Sequence, residues 1–330
     1  MIFGPVPAQD AAGAILAHSM MAVSGRVQKG TCLEMAHITD LVAGGHDTLV
    51  VARLEPGDVD ENAAAAQVAQ AIVHHAGDQN LRISAAGAGR VNLYATAPGV
   101  VEVSADKVVA LNSIDPMITL ATLPNYQRVD VGAMVATIKI ISYAVSETKL
   151  KEACRQAHYA MFVSNPIFRT ATLIETHVGD GAPSPKGRAA MVTRMERLGV
   201  SMTDRVVVPH KSADIAGALR DAPGQVLFVL TASATSDALD VAPQAVRDAG
   251  GRIETYGMPV DPGNLLFLGW LKDRPVIGLP GCARSLALNG ADWVLERVIC
   301  DVPVTRADVA AMGVGGLLKE IPTRPRPRAT

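Results

Sequence analysis

Residues 276–293 read VIGLPGCARSLALNGADW and set Cys282, Arg284 and Ser285 between an apolar strand and the start of a helix. A thiol next to a guanidinium and a helix N-terminus gains thiolate character. Exposed N–H groups at such a terminus, with a forked cation beside them, suit a phosphate or another anion. Each residue also has a plain structural role open to it: Cys282 as a small buried turn residue, Ser285 as an N-cap, Arg284 as a solvated side chain. Asp240 has two readings as well, as the cap of the helix it opens or as a contact to a metal or substrate. In LEPGDVDENAAAA, Asp58 and Glu61 have the spacing of a capping box ahead of an apolar helix, and their oxygens would equally suit Mg²⁺. His74 and His75 close that helix as C-terminal charges or caps, and His177 follows Thr176 near the candidate site.

The elements that must position these residues alternate through the second half of the chain. TATLIET (170–176), RVVVPH, QVLFVL and RIETYGM read as strands. Helices are expected over 186–199, closed by Gly199, over SADIAGALRDA with Ser212 as its cap, and over DVAPQAVRDAGG. LLFLGWL and RPVIGLP form a strand pair, and a last helix is expected from Ser285 to Ile299. On that helix Ser285, Asn289, Asp292 and Glu296 make a narrow polar stripe against a wide apolar arc. Strands alternating with helices imply a parallel sheet covered on both faces, with ligands at the carboxyl ends of its strands.

The first half reads as β-rich. An early helical pattern in AAGAILAHSM and one clear helix, DENAAAAQVAQAIVHHAG, lie among strand-like pieces such as DTLVVARLEPGD and GAMVATIKIISYAV. The expected organisation is a β-rich α+β domain over 1–150, an α/β domain over 168–302 and a C-terminal extension over 303–330. The end of that extension, IPTRPRPRAT, reads as extended or disordered.

Composition narrows the function classes. The 330 residues are 49% hydrophobic, yet no apolar run reaches the ~20 residues of a membrane span. A net charge of −2 argues against general nucleic-acid binding. Four scattered cysteines without a CxxC pair, and an N-terminus without a basic-then-apolar leader, point to a reducing cytoplasm. No HExxH and no GxxxxGK[ST] loop occurs; GAGRVN (87–92) comes closest to a dinucleotide fingerprint and lacks its third Gly.

Taken together, VLTASATSDALDVAP (229–243) and GMPVDPGNLLFLGWLKDRPVIGLPGCARS (257–285) resemble, in order and spacing, the molybdopterin-binding fold of the molybdopterin molybdotransferase family. KGTCL, ITDLVAGGHDTLVVARLEPGDVDENAA and DPMITLATLPNYQRVDVGAMVATIKIISYAV extend the resemblance over most of residues 11–300. The Cys-Ala-Arg-Ser turn looks closest to molybdopterin-binding proteins that also occur joined to molybdenum-cofactor cytidylyltransferases. The resemblance implies a three-layer α/β/α domain with a mostly parallel sheet beside the β-rich α+β N-terminal domain. It implies molybdopterin or its nucleotide derivative as ligand, with Mg²⁺ to neutralise phosphate charge during molybdate or nucleotidyl transfer.

Carried over by that resemblance, the phosphate- and pterin-facing positions are Thr231, Ser233, Thr235, Asp237 and Asp240 in the first loop. They are Pro262, Gly263 and Asn264 in the second, and Gly281, Cys282, Ala283, Arg284 and Ser285 in the third. Thr176 and Lys186 are further positions. Asp237 and Asp240 take the catalytic places, and Asp240 also that of a metal ligand. Several positions depart from the family pattern. Its Gly-Gly is Ala232-Ser233 here, an acidic position is Ala238, and its two Lys are Asp261 and Asn264. The Asp-Asn-Ser-x-Met-Asp-Gly segment has no counterpart. Two readings follow, a molybdotransferase-like enzyme or a non-catalytic carrier that hands the cofactor to a nucleotidyltransferase or a molybdoenzyme; a third, an unrelated nucleotide-binding α/β enzyme such as a dehydrogenase, is disfavoured because no strand is followed by GxGxxG. ATLPNYQRV (121–129) either lines the cleft, from the other domain or from a second copy in a homodimer, or is a domain connection.

Overall fold

In the computed structural model, which describes residues 1–318, the chain forms two units: residues 1–97 with 101–163, and residues 98–100 with 164 onward. The terminal stretch expected to be extended or disordered, IPTRPRPRAT, lies outside the described residues.

The first unit mixes short antiparallel sheets with helices. Strand Thr48–Arg53 pairs with Ile2–Pro7 on one side and Ile15–Leu16 on the other. A four-stranded antiparallel sheet runs in the order Ile118–Thr122, Met134–Ile140, Arg90–Ala95, Leu81–Ile83. Helix Glu61–Ile72 packs its Ala64, Ala65, Val68 and Ile72 into the same core as Leu93 and Ile138 of that sheet. Helices Met35–Ala43, Ala105–Asn112 and Glu147–Ala157 add to the one that the pattern made plain.

Three expectations for this unit are corrected. AAGAILAHSM is not helical: Gly13 turns the chain at φ +72°, and Ile15–Leu16 joins the sheet, with Leu16 fully buried. So short an apolar run carries no decisive period. The cap of the 61–72 helix is Asp60, whose carboxylate accepts the Asn62 and Ala63 N–H groups at 3.0 and 3.2 Å. Asp58 instead accepts the Glu55 N–H at 2.8 Å and pairs with the N-terminal ammonium at 2.6 Å, which holds its carboxyl below the usual range. His74 and His75 lie beyond the end of the helix; the His74 ring meets those of His75 and His158 edge-on, at 4.7 and 5.2 Å, and does not cap it.

The second unit is an α/β domain built on a seven-stranded mixed sheet. Thr170–His177 pairs in parallel with Ser201–Met202, Val206–Pro209 and Val226–Leu230, and Val226–Leu230 with Arg274–Gly278. Phe267–Leu271 and Arg252–Tyr256 complete it antiparallel. The continuous apolar run VLFVL has a simple cause. Phe228 and Leu230 pack on one face with helices Lys186–Glu196 and Gly290–Ile299, while Leu227 and Val229 pack on the other with Ser212–Asp221 and Val241–Asp248. Both faces are covered, so period-two alternation is hidden. Val304, Val309 and Met312, beyond residue 302, are buried in the first of these two cores.

Candidate functional site

Three loops leave the carboxyl ends of adjacent parallel strands: 178–185 after Thr170–His177, 231–240 after Val226–Leu230, and 279–289 after Arg274–Gly278. The first is anchored by a buried carboxylate. Arg205 meets fully buried Glu175 through Nε–Oε2 at 2.7 Å and Nη2–Oε1 at 3.3 Å, and Nη2 also donates to the Pro183 carbonyl at 2.7 Å. Thr176 ties the strand end to the second loop. Its Oγ1 accepts the Ala232 N–H at 2.7 Å and lies 3.0 Å from His210 Nδ1.

The second loop is braced from within. Thr231 Oγ1 donates to the Ser233 carbonyl at 2.6 Å, Arg247 Nη1 to the Ala238 carbonyl at 2.9 Å, and the Tyr256 hydroxyl to the Thr235 carbonyl at 2.9 Å. Burial, then the charges of Asp237 and Asp240, push the Tyr256 phenol up, so it remains a donor.

In the third loop the expected helix start is corrected. Gly281–Arg284 form a turn of 3-10 helix, residues 285–288 are irregular, and the long helix begins at Gly290. Buried Asn289 is its cap: its Oδ1 accepts the Ala291 N–H at 3.0 Å, and Asp292 Oδ2 accepts the Asn289 N–H at 2.9 Å. Ser285 therefore caps nothing there. The cause is Arg194, a residue the sequence reading missed. It is buried, pairs with the Asp292 carboxylate, and donates to the carbonyls of Ala283, Ser285 and Ala287 at 2.9, 2.7 and 3.3 Å. Carbonyls drawn toward a guanidinium cannot align along a helix axis. Asn289 and Asp292, expected on the narrow polar stripe, thus belong to a buried network. The signal for Arg194 was present: Gly187, Ala190, Met191, Arg194 and Met195 are the buried face of one helix, and a charge on such a stripe needs a partner.

Arg284 lies between two pockets. One, of about 200 Å³, is lined by Pro262, Gly281, Cys282, Ser285 and Asn289 with Arg284. The other, of about 360 Å³, is lined by Thr176, His177, Gly181, Ser184 and Ala232 with Arg284. Arg284 Nη2 donates to the Thr231 carbonyl at 2.5 Å, and no carboxylate among the described residues pairs with it. Its Nη1 lies 3.6 Å from where a Cβ on Gly187 would sit, in the first turn of helix Lys186–Glu196. A guanidinium without a carboxylate, beside a helix N-terminus, is equipped to receive an anion.

The fold therefore brings Thr176 and Arg284 to one pocket, and Gly281, Cys282, Arg284 and Ser285 to the other. Lys186, Ser233, Asp237 and Asn264 are exposed and line neither. Thr231, Thr235, Gly263 and Ala283 are buried and frame the loops. A Cβ on Gly263, at φ +143°, would stand 2.6 Å from the Gly290 nitrogen, so glycine is what lets the second segment lie against the third. Of its two readings, Asp240 realises the cap: Oδ1 accepts the Val241 N–H at 2.7 Å and Oδ2 the Ser236 N–H at 2.9 Å. Among the described residues no group of three or more His, Cys, Asp or Glu side chains could hold a metal ion, and no helix is long and apolar enough to cross a membrane.

Comparison with known proteins adds little at this level. A domain of unknown function, DUF8806, matches residues 5–53, within the first unit. No curated protein matches the chain. Among solved structures, the molybdopterin biosynthesis MoeA protein from Pyrococcus horikosii aligns over 93% of this chain and 75% of its own, at 13% identity and a TM-score of 0.30.

Proposed function

We propose that the second unit binds molybdopterin or its nucleotide derivative through a phosphate, as a carrier that passes the cofactor to a nucleotidyltransferase or a molybdoenzyme of the cytoplasm. The observation that supports anion binding is Arg284, which lines two pockets and has no carboxylate partner among the described residues. The ordered likeness of 229–243 and 257–285 to the molybdotransferase motifs supports the pterin. Carrier is favoured over transferase by the donor set. Both Asp240 oxygens accept backbone N–H groups, and Asp261 and Asn264 stand where the family has Lys. These residues do not fit a magnesium site.

The chemistry expected is recognition. The guanidinium offers charge-assisted donors, and the Thr231 carbonyl orients it. Arg284→Ala is expected to weaken molybdopterin binding by about 1.5–3 kcal/mol, the range for hydrogen bonds to charged groups, with little change in Tm. An unchanged affinity, measured by fluorescence titration, refutes the assignment. Pyrophosphate release on adding molybdopterin with ATP or CTP would show a transferase instead.

A further inference from the structure

The Thr176 hydroxyl can present either of two faces to the larger pocket. A hydroxyl gives one proton and accepts two. One acceptor position is taken by the Ala232 N–H at 2.7 Å, and His210 Nδ1 stands 3.0 Å away. When the neutral ring carries its proton on Nε2, Nδ1 is bare, the Thr176 proton goes to it and the pocket meets a lone pair. When Nδ1 carries a proton, Oγ1 accepts both N–H groups and its own proton is free to point into the pocket. Thr176 is 1% exposed, so that proton has few other partners. It lines the pocket together with Arg284 and Ser184. An oxyanion in this pocket needs the donor form.

We propose that His210 is a positioning residue that sets the Thr176 hydroxyl as a donor to a phosphate-like oxyanion held between Thr176 and Arg284. Anion binding and a proton on His210 Nδ1 then favour each other. The proposal rests on the anion-binding reading of this pocket and adds a coupling that reading does not require.

Glu175 is paired with Arg205, Arg284 is bonded to the Thr231 carbonyl, and Lys211 and Asp214 lie at the start of the following helix. His177, whose Nδ1 lies 2.6 Å from the Gly179 carbonyl, is the other imidazole at this edge. Imidazoles are the side chains that ordinarily change charge between about pH 5 and 8, so His177 supplies the control.

Sulfate is the probe, because its charge is constant over that range. Calorimetry on the full chain is expected to give several-fold tighter sulfate binding at about pH 6 than at about pH 8, bounded by the about tenfold limit for shifting one protonation by about one unit. The dependence should vanish in His210→Gln and Thr176→Val, and persist in Thr176→Ser and His177→Gln. By reciprocity, sulfate should raise the pH midpoint of the His210 ring signals in NMR. Sulfate binding of equal strength at both pH values overturns the coupling and leaves the anion site standing. A dependence lost in His177→Gln but kept in His210→Gln overturns the assignment to His210. No sulfate binding at either pH overturns both readings.

Discussion

Replacing Arg194 tests how the site is built. Its side chain is 5% exposed and holds Asp292, itself 8% exposed, at the base of the third loop. Removing one member of a buried pair strands the other charge and costs about 3–5 kcal/mol. The Ala283 carbonyl loses a donor in the interior, while those of Ser285 and Ala287 lie on exposed or half-buried residues and can regain water. Arg194→Met should therefore lower the stability of the second unit by about 3–5 kcal/mol, with the pair setting the figure. Urea unfolding followed by tryptophan fluorescence reads this unit alone, because Trp270 and Trp293 are the chain's two tryptophans. The double variant Arg194→Met with Asp292→Leu removes the stranded charge and should recover most of the loss, since apolar replacement of a buried pair is often neutral. It should not recover sulfate affinity, because the carbonyls of 283–287 still lack the guanidinium that draws them together. A loss in Arg194→Met below about 1 kcal/mol, the scale of an exposed pair, would refute the reasoning.

Asp240→Asn should leave ligand binding unchanged but cost about 1 kcal/mol, because the amide keeps one acceptor and its NH2 cannot accept the second N–H, whereas Asp240→Ala loses both bonds and should cost more; lost binding in the Asn variant would restore a ligand role. Gly263→Ala should cost more than about 2 kcal/mol from its left-handed backbone and its contact with Gly290, while Gly281→Ala, with nothing within 4 Å of its Cβ, should be tolerated. Equal midpoints for the two variants would contradict the packing described. Bonds from the Thr305 hydroxyl, then from its backbone N–H, hold the Asp308 carboxyl below the usual range. A depressed carboxyl stabilises the fold at neutral pH, and that contribution is lost as pH falls through its folded value. Asp308→Asn should therefore start less stable and show a shallower acid limb, and a parallel limb would argue against the linkage.

How much of this could be read in the sequence depended on whether the cause was local. The 170–176 and 226–230 strands and the 186–196 helix were legible because apolar runs, Gly and Pro punctuate them on the spot. The edge of the sheet that carries the candidate site followed from the alternation of strands and helices. The start of the last helix was not legible. Ser285, Asn289 and Asp292 fit the spacing of a polar helix stripe, and the same spacing serves a buried network once a cation arrives from elsewhere. That cation is Arg194, which lies 98 residues from Asp292 in the chain. In sequence, Arg194 and Arg284 are alike: each lies between a hydroxyl residue and an apolar one, Thr193 and Met195 or Ser285 and Ala283. In the fold they differ by a carboxylate. Arg194 has Asp292 and three carbonyls, and so holds a loop; Arg284 has one carbonyl and two pockets, and so has donors left for a ligand. Whether an arginine is structural or functional is decided by what neutralises it, and neutralisation is a property of tertiary contact.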